Sequence, residues 1–442
     1  MVGIAMRPGN QVKDLASKIG EEFDDLVHTY IKIGSDNVVT AIIPHSEMGQ
    51  GVHTALGQML AEELDADWEH VKVEEAPAIR ENASYSAGRR YLLSGIDFPN
   101  VLIPTVDGMM MRVADTLNMQ ITGGSLSVRS TGFLAMRVAG AATREMMQAA
   151  AAESWGVPLN EVTTENSYAV HELTNRREPY AAFAGAVAEM KPSQTPSFKD
   201  PSSYKIVGKY VPRRDIPAKV DGSAKFALDV RVPEMTYASV MRSPVPGGSL
   251  VSVDDSAARA IEGVIDVVAI PATSVTNMLG EMRSSDAVAV VADSYWTANR
   301  AVRALKITWS ETEYDAVSSD SIYAQFDRDI SSGSERSADR LEGEVAAAFS
   351  GAARVIDADY HVPFLAHTCM EPLNATADVR SDSAEIWVGC QNPLGFRRVV
   401  ADVLEMVPEN VTLNNHIMGG GFGRKALQDY AIQVALRSKA VG

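Results

Sequence analysis

Short runs of β-branched and apolar residues alternate with turn residues in the first part of the chain. These runs predict strands at residues 30–33, 38–43 and 71–75. Between the last two strands, apolar residues recur at helical spacing from Val52 to Leu64, directly after Gly49-Gln50-Gly51. Two more helices are predicted at 134–155 and 180–190, and residues 192–215, rich in Pro, Ser and Lys, are interpreted as a linker.

Two further zones follow, and both mix strands with helices. In the second zone, strands are predicted at 225–230, 237–242, 264–270, 287–292 and 306–309, with a helix at 296–305. A polar stretch at 312–344 is interpreted as a surface connection to a third zone, with strands at 354–362, 375–379, 385–389 and 411–417 and helices at 396–404 and 427–436. The pattern predicts an α+β fold with segments at 1–200, 216–312 and 345–442.

Composition narrows the class of protein. The chain has 442 residues, a formal net charge of −17 and 46% hydrophobic residues, which excludes a disordered chain and argues against nucleic acid as a partner. Its two cysteines, Cys369 and Cys390, are too few for an iron–sulfur cluster, which needs about four thiolates, so any such cluster is expected on another chain.

The apolar windows also bear on location. None approaches the roughly 20 apolar residues of a membrane helix, so no membrane segment is predicted. We expect a cytoplasmic protein, with a periplasmic one as the alternative if a signal was removed or a partner directs export.

Three glycine-rich segments are candidates for binding an anion or a cofactor. Residues 419–425, Gly-Gly-Gly-Phe-Gly-Arg-Lys, lie between a predicted strand and a predicted helix, but match neither the Walker motif nor a complete Gly-x-Gly-x-x-Gly fingerprint. Residues 49–51 also precede a helix, where amide groups could cap a phosphate. Residues 122–129, Thr-Gly-Gly-Ser-Leu-Ser-Val-Arg, combine hydroxyls and open backbone that suit a diphosphate or a pterin edge. A structural turn, a helix start and a surface loop are the respective alternatives.

Other motifs are poorer candidates. The eight histidines lack metal-ligand spacing, so no metal-binding side chains are predicted, and no Gly-x-Ser-x-Gly nucleophile elbow occurs.

Taken together, these segments resemble the molybdenum-binding large subunits of the xanthine oxidase family. The resemblance is closest to the bacterial branch of isoquinoline 1-oxidoreductase β subunits and related aldehyde dehydrogenases. It covers nearly the whole chain, and residues 213–244 are similar to the entry into that family's α/β hammerhead domain. The residues that carry it are 46–56, 122–129, 366–377 and 418–425.

The resemblance implies a molybdenum cofactor, usually molybdopterin cytosine dinucleotide in bacteria. By the same resemblance, the pterin dinucleotide is held by Gly49, Gln50, Gly51, Thr122, Gly123, Gly124 and Ser125. Gly420, Gly421, Phe422 and Gly423 are implied to lie near the molybdenum and to offer backbone amides to its oxygen ligands. Gln391 matches the family glutamine that hydrogen-bonds the apical oxo group, with a polar residue at a helix start as the alternative.

The implied activity is hydroxylation of an N-heteroaromatic ring or an aldehyde, with water as the oxygen source and a glutamate as the base. Electrons would pass to [2Fe–2S] clusters on a small partner subunit, and a flavoprotein or a cytochrome is a candidate acceptor. A non-catalytic scaffold for assembly or cofactor handling is the alternative function. A flavin or nicotinamide dehydrogenase is disfavoured, because a complete dinucleotide fingerprint is missing.

The sequence departs from the family in two informative places. It contains no Gly-Val-Gly-Glu motif, which carries the family's catalytic glutamate, and Ala426 stands where xanthine-oxidising relatives have a substrate-orienting glutamate. The predicted helix at 427–436 follows its glycine loop directly and lies six residues from the end. These features predict the N-terminal portion of a split molybdenum subunit whose partner chain completes the active site, with a truncation as the rival explanation.

Overall fold

The computed structural model of the chain describes residues 24–93, 96–123, 125, 127–277, 280–332, 340 and 342–441. These residues form two compact units. The first unit comprises the described residues up to Thr236, together with Thr273–Ser284 and Cys369 onward, and the second comprises Tyr237–Ala272 and the described residues of Ser285–Thr368. Within the described residues, no helix is long and apolar enough to cross a membrane.

The first unit begins with a four-stranded sheet. Its strands run in chain order, Asp24–His28, Ile31–Gly34, Val39–Ile43 and Val71–Glu75. The first three are antiparallel neighbours, whereas the fourth pairs in parallel with the third, Val39 lying opposite Val71. A parallel pair needs a crossover connection, and the amphipathic helix Val52–Leu64 supplies it. The loop at 49–51 is therefore the turn from a strand into a crossover helix.

Helices pack against this sheet and against one another. The crossover helix lies against Arg137–Trp155 so closely that a Cβ on Gly140 would meet the Leu60 carbonyl oxygen at 2.4 Å. A π-helical segment at Ser127–Met136 leads directly into Arg137–Trp155. The other helices are Tyr85–Leu92, Ile103–Thr116, Ala184–Ala188 and Ile216–Asp221, and a small antiparallel sheet contains Thr163–Glu165, Tyr168–His171 and Arg176–Pro179.

Residues 192–215 lack regular structure apart from a short turn of 3₁₀-helix at Pro201–Ser203. They are nevertheless fixed to the crossover helix. The buried Glu62 carboxylate accepts backbone N–H bonds from Lys205, Ile206 and Val207 at 3.0, 2.6 and 3.0 Å, and a side-chain bond from Lys199 at 2.7 Å. The segment interpreted as a linker is thus part of the packed first unit.

The C-terminal part of the first unit also contains a parallel strand pair joined by a crossover helix. The sheet has the order Ala375–Val379, Ala384–Val388, Val411–Asn415. Its last two strands are parallel, and the helix Pro393–Leu404 forms the crossover between them. Helix Asp429–Val441 packs on this layer, and the hairpin Ser274–Asn277 and Gly280–Arg283 adds Val275 to a small core with Val399 and Ile432.

The second unit is built on an antiparallel sheet with Ala287–Ala292 at its centre, between Val264–Ile270 and Tyr237–Arg242. All six residues of the central strand are buried, as the uninterrupted apolar run predicts. Leu250–Asp254 and Lys306–Trp309 form a second antiparallel pair. The helices are Ser256–Arg259, Tyr295–Val302, Ser319–Ser331 and Val345–Gly351.

The α+β fold class is confirmed, but two predicted strands are absent. Residues 225–230 form no strand: Ala227–Asp229 is a 3₁₀ turn, and the Asp229 carboxylate accepts the Phe226 N–H at 3.0 Å. Residues 354–362 form no strand, since no described strand pairs with them. The stretch interpreted as a surface connection is mostly exposed where it is described, but it contains a helix that was not predicted, Ser319–Ser331. Ser318 caps this helix, since its hydroxyl accepts the Ser321 N–H at 3.2 Å.

Candidate functional site

Three of the segments singled out in the sequence lie where strands end. Residues 49–51 follow strand Val39–Ile43, Gln391 follows strand Ala384–Val388, and residues 419–423 follow strand Val411–Asn415. In sheets with parallel strands, ligands bind beyond the carboxyl ends of the strands, where loops and helix N-termini meet. All of these segments, and residues 122–125, belong to the first unit.

Gln391 joins two of the loops through its buried side chain. Its Oε1 accepts the backbone N–H of Gly423 at 2.9 Å, and its Nε2 donates to the carbonyl oxygen of Thr122 at 2.9 Å. Its own backbone carbonyl accepts the Thr122 N–H at 2.8 Å, and its backbone N–H donates to the Lys425 carbonyl at 2.9 Å. Four hydrogen bonds therefore fix this residue, and the amide nitrogen carries one further hydrogen.

The loop at 419–423 approaches Gln391 so closely that it requires glycine. A Cβ on Gly421 would lie 2.7 Å from Gln391 Oε1 and 2.8 Å from Met48 Sδ. Gly420 and Gly423 have φ values of +93° and +82°, which side chains rarely tolerate. Phe422 also has positive φ, +50°, and 65% of the residue is exposed. The loop thus presents its one aromatic ring to solvent while its backbone packs against the Gln391 amide.

A buried ion pair braces the same loop. Lys425 Nζ lies 2.6 Å from Glu371 Oε2, and that oxygen also accepts the Gly419 N–H at 3.0 Å. Burial acts to raise the pKa of Glu371, but the hydrogen bonds from Lys425 and Gly419 outweigh it and hold the pKa below its usual value. Arg424 is paired in turn with Asp429 at 2.9 and 2.7 Å.

The loop at 49–51 is closed by polar groups of the protein itself. The N–H groups of Gly49 and Gly51 donate to the buried carboxylate of Glu47 at 2.8 and 3.0 Å. The Gln50 side chain accepts from Met48 N at 2.7 Å and donates to the Ser46 carbonyl at 2.9 Å. The amides that the sequence offers to a phosphate are therefore occupied by an internal carboxylate.

In the segment at 122–125, Thr122 is buried and Ser125 is exposed. Thr122 Oγ1 accepts the Ser46 N–H at 2.9 Å and lies 3.2 Å from His45 Nδ1. Gly123 is half-buried, Ser125 adopts positive φ, +62°, and Gly124 lies outside the described residues. Burial, together with the nearby ring of His53, lowers the pKa of His45 to about 3, so the ring beside Thr122 is neutral.

Sequence reasoning missed the charged groups behind these loops, Glu47, Glu75, Arg213, Glu371 and Lys425. Glu47, Glu371 and Lys425 stand inside the segments quoted for the resemblance, so their place in those segments was the available signal. Arg213 lies in the supposed linker, yet its Nη1 donates to the Gly49 carbonyl at 2.8 Å.

Glu75 belongs to a polar cluster under the loops. Its carboxyl group accepts a hydrogen bond from Asn415 Nδ2 and lies 3.6 Å from His53 Nε2. Burial raises the pKa of Glu75 to about 8, although the bonds from Asn415 and Ser46 act to lower it. The group is therefore mainly protonated at neutral pH.

Replacing Glu75 with glutamine is expected to stabilise the protein at pH 9 and to change little at pH 4. A carboxyl group whose pKa is raised to about 8 on folding contributes fully to stability below its unfolded pKa and loses that contribution as pH rises through 8. Glutamine does not ionise, so the difference in unfolding free energy grows between those values, reaching about 2 kcal/mol or more. Urea unfolding at several pH values measures it.

The neighbouring Glu74 supplies the control, because its carboxylate is half exposed and paired with Lys32 at 2.8 Å. Glu74→Gln removes a half-exposed carboxylate and its bond to Lys32, so it is not expected to stabilise the protein at pH 9. A pH-independent difference for Glu75→Gln would contradict the assignment of its protonated state.

The residues present fit a molybdenum whose ligands come from its own organic cofactor. Open space lies over three of the loops, since a Cβ on Gly49 or Gly423 would have no heavy atom within 4 Å, and one on Gly123 only Gln391 Nε2 at 3.9 Å. The groups around this space are backbone amides, a carboxamide and hydroxyls, which suit a pterin and its oxygen atoms. Among the described residues, no three His, Cys, Asp or Glu side chains are grouped to hold a metal directly.

Family models match most of the chain. Residues 1–92 and 331–442 match the molybdopterin cofactor-binding domain, and residues 221–313 match the a/b hammerhead domain of aldehyde oxidase and xanthine dehydrogenase. These matches confirm a hammerhead domain flanked by molybdopterin-binding segments.

Curated relatives agree with the family models. The chain is 28% identical to isoquinoline 1-oxidoreductase subunit beta of Brevundimonas diminuta, over 94% of this chain and 53% of that protein. It is 30% identical to the membrane-bound aldehyde dehydrogenase (pyrroloquinoline-quinone) of Gluconacetobacter polyoxogenes, over 93% and 48%. The chain thus spans about half the length of the curated relatives it matches.

Among solved structures, quinoline 2-oxidoreductase from Pseudomonas putida 86 is similar, with 24% identity and a TM-score of 0.40 over 53% of this chain and 33% of that chain.

The family models and the curated relatives lead to one conclusion. This chain matches both the molybdopterin-binding models and the hammerhead model, and the curated relatives named above are oxidoreductases. The chain therefore belongs to the xanthine oxidase family of molybdenum-binding large subunits.

Proposed function

We propose that the chain is part of a molybdenum hydroxylase or dehydrogenase that oxidises an N-heteroaromatic ring or an aldehyde. The observation that carries the proposal is the Gln391 side chain, which links the Thr122 and Gly423 loops beside open glycines. When bound, the molybdenum cofactor supplies two-electron oxidation with oxygen taken from water. The chain's own residues hold and orient that cofactor.

Each loop has a separate task in this proposal. The second amide hydrogen of Gln391 would donate to an oxygen ligand of the metal, and the backbone of Gly421 and Gly423 lies beside the Gln391 side chain. The Gly420 amide, in the same loop, would also face the metal's oxygen ligands. Exposed Phe422 would contact the substrate, because an aromatic face suits a planar ring. Residues 49–51 and 122–125 would hold the pterin dinucleotide, which we propose is the cytosine form.

The remaining parts of the reaction need more polypeptide than these 442 residues. We propose that the base is a glutamate in the other half of the molybdenum subunit, on a partner chain or in a continuation of this one. Two cysteines are too few for a [2Fe–2S] cluster in these residues, and we propose that the clusters lie on a small separate subunit that passes electrons to a flavoprotein or a cytochrome. Ala426 disfavours purines as substrates.

The test is to purify the complex from its native host through a tag on this chain. Molybdenum per chain, released pterin nucleotide and substrate-dependent dye reduction are measured with quinoline, isoquinoline and aromatic aldehydes. We expect about one molybdenum per chain and reduction with one of these classes. A well-folded complex without molybdenum would refute the proposal, and a loaded complex that reduces no dye would indicate the scaffold role.

A further inference from the structure

We propose that the Glu47 carboxylate occupies the N–H groups of Gly49 and Gly51 whether or not the cofactor is bound. The loop at 49–51 is then formed before the cofactor binds, and these two N–H groups do not bind the cofactor's diphosphate. The inference rests on the proposed function for the identity of the ligand. It differs from the reading of the sequence, in which the same amides were candidates to cap a phosphate. It makes Glu47 a positioning residue for cofactor binding.

The geometry around Glu47 is that of an anion at a helix start. Its carboxylate accepts N–H bonds from Gly49 at 2.8 Å, from Gly51 at 3.0 Å and from His53 at 3.4 Å. Gly51 directly precedes the first residue of helix Val52–Leu64, where backbone N–H groups have no partner inside the helix. The partial positive charge of a helix N-terminus favours an anion at this place. The Glu47 carboxylate thus occupies the position at a helix N-terminus where other proteins bind a phosphate.

Glu47 has no exposed surface and so has no solvent-facing alternative position. On its other side, Arg213 Nη2 lies 3.3 Å from Glu47 Oε1, and Arg213 Nη1 donates to the Gly49 carbonyl. The guanidinium is itself fixed by Asp215, which also pairs with Lys219 at 2.5 Å. Two carboxylates, Glu47 and Asp215, and two cations, Arg213 and Lys219, are thus already paired with one another at this place.

A cofactor phosphate on the same amides would have to displace this carboxylate or share its donors. Sharing would place two anions about 3–4 Å apart in a buried environment, where their repulsion is poorly screened. Instead, the loop would contact the cofactor through its backbone surface at Gly49. Gly49 is exposed and its missing Cβ faces open space, so a ligand can approach the backbone without using the N–H groups of Gly49 and Gly51.

The first experiment needs no substitution. Amide hydrogen exchange, resolved to single residues by fragmentation, is measured on the wild-type complex with and without its cofactor. We expect the Gly49 and Gly51 amides to be equally protected in both forms. Free exchange in the cofactor-free form, with protection gained on loading, would overturn the proposal. Because the cofactor-free form suffices to detect the Glu47 bonds, a complex that never contains molybdenum refutes the proposed function without deciding this inference.

Two variants separate charge from shape. Glu47→Gln keeps the size and one acceptor oxygen for the Gly49 and Gly51 amides but removes the charge and places an NH₂ group opposite the His53 N–H. Glu47→Asp keeps the charge on a shorter side chain. We expect exchange at Gly49 and Gly51 to accelerate at least tenfold in Glu47→Gln and less in Glu47→Asp, with pterin content falling in the same order. Exposed Glu69 supplies the control, and Glu69→Gln is expected to leave both measurements unchanged. Equal or better protection in Glu47→Gln than in Glu47→Asp would refute the role of the charge.

Discussion

Replacing Lys425 with methionine is expected to lower the free energy of unfolding by about 3–5 kcal/mol, the usual cost of breaking a buried ion pair from one side. The Lys425 and Glu371 side chains are 1% and 5% exposed, and their charged atoms lie 2.6 Å apart. Methionine fills much of the same volume but leaves the Glu371 carboxylate buried without its cation. We also expect cofactor content to fall, because the Glu371 carboxylate that loses its cation also accepts the Gly419 N–H of the glycine loop.

The pH dependence identifies the cause of this loss. Burial is the largest influence on the pKa of Glu371, and without Lys425 fewer hydrogen bonds oppose it, so the pKa should rise in the variant. The deficit in unfolding free energy should then shrink as pH falls and Glu371 takes up a proton. Urea unfolding at pH 8 and pH 5 measures both quantities.

Two comparisons complete this test. Lys439 is exposed near the end of helix Asp429–Val441, so Lys439→Met is expected to change unfolding by less than about 0.5 kcal/mol. Adding Glu371→Gln to Lys425→Met should cost less than the sum of the two single variants, because the pair forms one interaction. A Lys425→Met variant that unfolds like Lys439→Met would contradict the role of the ion pair.

One helix of the first unit and one strand of the second could be predicted because their signals are local. The apolar spacing of Val52–Leu64 and the apolar run of Ala287–Ala292 depend only on neighbouring residues, and both elements are present as predicted. Residues 354–362 have a strand-like sequence too, but a strand also needs a partner to pair with, and the described residues supply none. Strand formation at 354–362 depends on a pairing strand, and the local sequence pattern carries no information about one.

In the candidate site, too, the local motifs could be predicted and the contacts between distant residues could not. Glycine and glutamine motifs marked the loops, but the groups that hold them are far apart in the chain: Glu371 and Lys425 are separated by 54 residues, and Glu47 and Arg213 by 166. Single charged residues occur throughout a chain with 97 of them, so spacing alone cannot pair them. Burial selects the pairs, and burial follows only from the folded arrangement of the two parallel strand pairs.

Gln391→Ala is expected to reduce turnover of the loaded complex about a hundredfold, the usual effect of removing one donor from a reacting centre. The sequence alone predicts that folding stays largely intact in this variant, because the side chain would act on the metal centre. The structure changes that expectation. Alanine removes the partners of the Gly423 N–H and the Thr122 carbonyl, so we expect unfolding to be easier by about 1–3 kcal/mol.

Gln391→Glu distinguishes the structural bridge from the effect on the metal centre. An ionised glutamate still accepts the Gly423 N–H, but its second oxygen faces the Thr122 carbonyl, which is also an acceptor. When protonated, the carboxyl group can again donate to Thr122, so the stability of this variant should recover as pH falls below its pKa, while Gln391→Ala shows no such recovery. Urea unfolding and dye reduction across pH 5–8 measure the two effects separately. If Gln391→Ala retained both wild-type unfolding and wild-type turnover, neither the bridge between the loops nor the proposed contact with the metal's oxygen would stand.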